Sequence, residues 1–165
     1  GGVKGEALMS EIFHGSGTLR PSSMATVAER RFDDAEALCA TNLNARANGA
    51  AYMVGFVVEI LLKARLVTKF QSIANKRQHD VKSSESMVWR LIWRTHDLEA
   101  MLLHLHELEN SLISKGLRDG VDYYAMLKSV CTTWTIQARY SAKSMQMDEA
   151  KDLVERVRVL KELLK

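Results

Sequence analysis

The chain has 165 residues, 47% hydrophobic and 26% charged, with a formal net charge of +3. That size fits one domain with a core large enough to fold alone, and that balance excludes a disordered polymer. The opening residues lack the basic, apolar, small-residue order of a leader, so the cytoplasm is the expected compartment. Residues 1–22 are rich in Gly and Ser and read as a flexible arm, in part a cloning remnant. Residues 23–165 read as a single helical domain.

The only proline is Pro21, so later helices meet no imposed break. Ser22 or Ser23 is the expected cap of the first long helix, in which Val27, Phe32, Ala35, Leu38 and Cys39 recur at helical spacing. Asn42 to Asn48 is a short polar turn, which makes the first two helices antiparallel neighbours. The second helix, about Ala47 to Phe70, is apolar almost all round and therefore buried. A membrane-spanning helix needs about 20 nearly uncharged residues, and Glu59 interrupts this run too early. Glu59 and Lys63 stand four apart with the acid first, the favourable order. Ala51 and Gly55 are one turn apart and predict the close approach of another backbone.

Residues 71–83 read as a loop. Met87 to Trp93 reads as a short helix capped by Ser83 or Ser84, and its apolar Trp89, Leu91, Ile92 and Trp93 are the expected subunit contact. Thr95 is the expected cap of a helix striped by Leu98, Met101, Leu102, Leu105 and Leu108, with Asp97 and Glu99 in its first turn. Gly116 and Gly120 punctuate a connection. Val121, Tyr124, Leu127 and Val130 line the next helix. Trp134 to Tyr140 is a joint or a further helix start. Asp148 opens a last helix with Ala150, Leu153, Val154, Val157, Leu160 and Leu164 inward. No segment alternates as a half-buried strand does, so the fold class is all-α, a bundle of five to six helices.

Charge is unevenly placed. Residues 63–94 hold eight Lys or Arg against Asp80 and Glu85, whereas residues 95–110 hold four acids and no Lys or Arg. Such a basic stretch suits an anion or nucleic-acid surface, or simply a solvated loop. Cys39 and Cys131 read as buried thiols. His104 and His106, two apart, point to different helix faces, and His79-Asp80 lacks a third ligand, so no metal and no cofactor is expected.

Four pieces of sequence together resemble one family: Asp34-Ala35-Glu36-Ala37-Leu38; Ala51-Tyr52-x-x-Gly55-Phe56-x-x-Glu59-x-x-x-Lys63-Ala64; His96-Asp97-Leu98-x-x-Met101-Leu102; and Trp134-x-x-x-x-Arg139-Tyr140. The chain from about residue 25 to 165 is similar to the HEPN domain, the higher eukaryotes and prokaryotes nucleotide-binding domain. The resemblance implies an up-and-down helical bundle, often a homodimer. It further implies nucleotide or RNA binding, or a place in a toxin–antitoxin or defence pair beside a nucleotidyltransferase. A third implied role is a metal-independent endoribonuclease with an Arg-x4-6-His motif. Arg90 and His96 meet that spacing, although Leu91 stands where a polar residue is usual. Lys63, His96, Arg139 and Tyr140 are the ligand-binding candidates. Glu59, Lys63 and Arg139 are the candidates for an interior polar network. The residues favour binding over catalysis, because the ribonuclease motif is poorly matched.

Overall fold

The computed structural model describes residues 20–134 and 144–165, and among these all regular structure is helical. The helices are α1 (Pro21–Ala40), α2 (Ala47–Lys69), α3 (Gln71–Ala74), α4 (Ser86–Trp93), α5 (Leu98–Leu102), α6 (His106–Asp119), α7 (Tyr123–Thr133) and α8 (Met147–Leu164). Six of the eight have eight residues or more; α3 and α5 are single turns of four and five. None of the described helices is long and apolar enough to cross a membrane.

The apolar circumference of α2 places it at the centre. Every residue from Val54 to Ala64 is buried, and α1 and α8 pack along its length. Helices α4, α5 and α7 close its remaining sides. All six residues expected to face inward on the last helix do so. The α1–α8 seam also carries charge: Arg158 and Lys161 lie over the Phe32 ring at 5.1 and 4.9 Å. The ammonium groups of Lys165 and Lys161 hold the Glu29 carboxyl below its usual range.

The Asn-rich turn has a structural task. The Asn48 side-chain carbonyl accepts from Met145 N–H and that of Asn44 from Met147 N–H, each at 2.9 Å. These bonds seat the start of α8 beside α2. At the other end, the Arg65 guanidinium donates to the carbonyls of Leu163, Leu164 and Lys165. A cation there complements the negative end of the α8 dipole.

Several local expectations are corrected. Pro21, not a serine, opens α1: Arg20 is the cap residue, and a proline suits the first helical turn because it has no N–H to leave unsatisfied. Residues 71–85 are not a plain loop but a chain of short turns. Neither Ser83 nor Ser84 caps α4. Glu85 does the local work instead, accepting from Lys82 N–H at 3.0 Å while it pairs with Lys76. Thr95 does not cap the next helix either. The Asp97 carboxylate accepts from Ala100 N–H at 3.0 Å and begins α5. The stripe from Leu98 to Leu108 is split between α5 and α6, with a turn at 103–105. Gly116 lies inside α6, and Gly120 alone ends it, at φ 70°, in the left-handed region a glycine occupies without strain.

Candidate functional site

Glu59 and Lys63 are 0% and 1% exposed, and Lys63 Nζ lies 3.5 Å from Glu59 Oε2. Removing a carboxylate and an ammonium from water costs several kcal/mol each by rough estimate, so each requires compensation in place. A third group joins them. His96 Nδ1 lies 2.9 and 3.0 Å from the two Glu59 oxygens. A carboxylate only accepts, so Nδ1–H donates and the neutral ring is left with Nε2 as its acceptor. The His96 side chain is 25% exposed, so this cluster runs from the centre of the bundle to its surface.

Local structure puts His96 there. Helix α4 ends at Trp93, and Thr95 Oγ1 donates back to the Leu91 carbonyl at 3.3 Å. Asp97 then caps α5, whose Leu98, Met101 and Leu102 are buried in the core. His96 is fixed between a helix end and a helix start, facing Glu59 across 37 residues of chain.

The remaining candidates separate. Lys63 is enclosed, so its ammonium meets Glu59 rather than a ligand arriving from solvent. Arg90 is exposed on α4, while the next two residues, Leu91 and Ile92, enter the core. Arg139 and Tyr140 lie outside the described residues. The apolar α4 segment, expected to be a subunit contact, is used within the chain. Trp89, Leu91 and Ile92 are buried and Trp93 is half-buried. Trp89 Nε1 donates to the Lys76 carbonyl and Trp93 Nε1 to the Ala74 carbonyl, each at 3.0 Å, and the two rings stack at 6.2 Å. The indoles strap α4 to the turns before it.

Gly55 is approached closely, but by a ring rather than by a backbone. A Cβ built there would fall 1.5 Å from Trp134 Cδ1. Trp134 is buried and lies 6.4 Å, centroid to centroid, from the Tyr52 ring. The small residue at position 55 announced a contact without naming the element that makes it.

Both cysteines are free thiols and buried. Burial pushes the Cys131 thiol up to about 12 and raises that of Cys39. His104 Nδ1 lies 3.1 Å from the Ala100 carbonyl, and His79 and His106 are exposed. Among the described residues no three His, Cys, Asp or Glu side chains are grouped to hold a metal ion. Among the four acids of residues 95–110, Asp97 caps α5, Glu99 accepts from Thr132, and Glu107 pairs with Lys69.

Comparison with models of known families, with curated proteins and with solved structures returns no match.

Proposed function

We propose that this chain is a HEPN-like module that binds nucleotide or RNA and acts in regulation, in a toxin–antitoxin or defence setting beside a nucleotidyltransferase. The observation that carries this reading is the Glu59–Lys63–His96 cluster. Three of the family-like motif residues meet at one point, and the most accessible of them, His96, presents an imidazole whose outer nitrogen, Nε2, can accept from a ligand hydroxyl.

One observation favours a second reading, a metal-independent endoribonuclease. A carboxylate that orients Nδ1–H leaves Nε2 as the base, an arrangement used to take a proton from a hydroxyl. In that case His96 Nε2 removes the 2′-hydroxyl proton, the 2′-oxygen attacks the adjacent phosphorus to close a 2′,3′-cyclic phosphate, and the P–O5′ bond breaks as the 5′-oxygen takes a proton from water. Arg90 would offset the phosphate charge.

One experiment separates the two. Labelled single-stranded RNA is incubated with the purified chain in EDTA, and retention and cleavage are read together. The binding module retains intact RNA. Cleavage that disappears in His96→Asn selects the ribonuclease, because asparagine keeps a donor for Glu59 and lacks Nε2. Neither retention of RNA, ATP or GTP nor cleavage would remove both readings.

We also propose a homodimer, through α6 rather than α4. Ile113, Leu117 and Val121 are exposed, Leu117 at 83%. Glu107 and Glu109 lie near the start of α6 and Lys115 and Arg118 near its end. Ile113 and Leu117 stand one turn apart on one side of α6, so two copies can cover this apolar strip with one another. Leu117→Asp is expected to sediment as a folded monomer and the parent chain as a dimer. A monomeric parent chain, or a dimer that survives the substitution, would reject this surface.

A further inference from the structure

We propose that the outward face of α4, with the turns at 76–82, docks the backbone of single-stranded RNA; the proposal rests on the binding reading above and assigns it a surface. Eight cations lie between residues 63 and 94, and four have structural work. Lys63 faces Glu59 in the interior. Arg65 holds the carbonyls that end α8. Lys69 Nζ donates to the His104 carbonyl and pairs with Glu107. Lys76 meets both Glu85 oxygens, at 2.8 and 2.7 Å, and keeps that carboxyl below its usual range.

Arg77, Lys82, Arg90 and Arg94 are left. All four are exposed, and among the described residues none is in an ion pair. The Trp89 and Trp93 indoles fasten the backbone at Lys76 and Ala74 against α4. Arg94 lies over the Trp89 ring at 5.8 Å and donates to the Gln78 side chain at 3.0 Å. Arg77 is thus set between two fastened points, at Lys76 and Gln78. Arg90 and Arg94 are one helical turn apart, about 6 Å along the axis. Met87, 66% exposed, is three residues before Arg90 on the same face. On this surface Glu85 is neutralised by Lys76, and Asp80 lies beside His79.

The chemistry selects the ligand. Three of the four cations are arginines, whose planar forks fit phosphate oxygens two at a time. Guanidinium planes, the Met87 thioether and the partly open Trp93 edge offer apolar faces for unstacked bases, which a duplex keeps hidden.

The test uses a labelled short oligouridine, read by fluorescence anisotropy across a salt series with the full chain. Arg77→Glu with Arg90→Glu is expected to weaken binding by about ten-fold or more, and to flatten the log–log salt slope by roughly 1.4, at about 0.7 per phosphate contact. Both positions are exposed, so the melting temperature should hold. Arg77→Lys with Arg90→Lys should keep the slope. Oligouridine binding that keeps its affinity and slope after charge reversal overturns the surface while leaving the binding reading intact. Equal affinity for duplex RNA, or capture by phosphatidylserine vesicles without oligouridine binding, overturns the choice of ligand. Absence of any RNA or nucleotide binding in the parent chain rejects the reading beneath both.

Discussion

Glu59→Ala is expected to destabilise the chain by about 4 kcal/mol, the range found when one partner of a buried ion pair is removed. For a chain of this length that is a fall of roughly 10 °C in melting temperature. Lys63 is 1% exposed, so its ammonium would remain enclosed without the carboxylate it faces. His96 would lose the acceptor for Nδ1, but its ring reaches the surface and water can replace that bond. The pair Glu59→Leu with Lys63→Met makes the sharper test. It removes both charges and keeps the volume, so it should recover most of the loss, because a buried ion pair is seldom more stable than a well-packed apolar substitute. Urea and thermal melts of the three variants measure this. An unmoved melting temperature in Glu59→Ala would show that the cluster is not the interior joint described here. A double variant as unstable as the single one would show that the charges stabilise the bundle outright.

That cluster also shows how far sequence carries. Glu59 and Lys63 were legible because their relation is local: four residues apart on a helix too apolar to lie outside. The same apolar circumference placed α2 at the centre. The periodic stripe of α8 likewise put all six expected residues inside. His96 is different. Nothing in its own neighbourhood points to Glu59, 37 residues earlier, and the sequence set His96 among the ligand-binding candidates rather than in the interior network. The stripe from Leu98 to Leu108 misled for a physical reason. Helices α5 and α6 present their apolar residues to one core, so the spacing runs on through the break at 103–105. The indoles of α4 misled in another way. Composition says that tryptophans seek burial, and their N–H groups seek acceptors. It cannot say that the acceptors are the carbonyls of Lys76 and Ala74 in the same chain. The segment read as a contact between subunits thus serves as an internal strap through these two bonds.

Gly55→Ala should be the most damaging single methyl that can be added to α2. In isolation the change favours a helix by about 1 kcal/mol. Here the new Cβ would sit 1.5 Å from Trp134 Cδ1 and 1.8 Å from Nε1, distances no side-chain adjustment of a few tenths of an ångström relieves. The indole must leave its seat against Tyr52 or α2 must move from its neighbours. Overpacking of a filled core costs about 1–3 kcal/mol and at times more, and displacing a buried tryptophan belongs at the upper end. A net loss of about 2 kcal/mol remains after the helical gain, a fall of roughly 4–8 °C. The cause is separable from backbone stiffening. With Trp134→Leu in the background the methyl has room, so Gly55→Ala should cost much less there than in the parent chain. The double-mutant cycle then gives a coupling of about 1 kcal/mol or more. Tryptophan fluorescence supplies a second readout, since a displaced Trp134 would emit further to the red while Trp89 and Trp93 stay fastened on α4. Additive stabilities with unshifted emission would mean that Trp134 does not rest on Gly55.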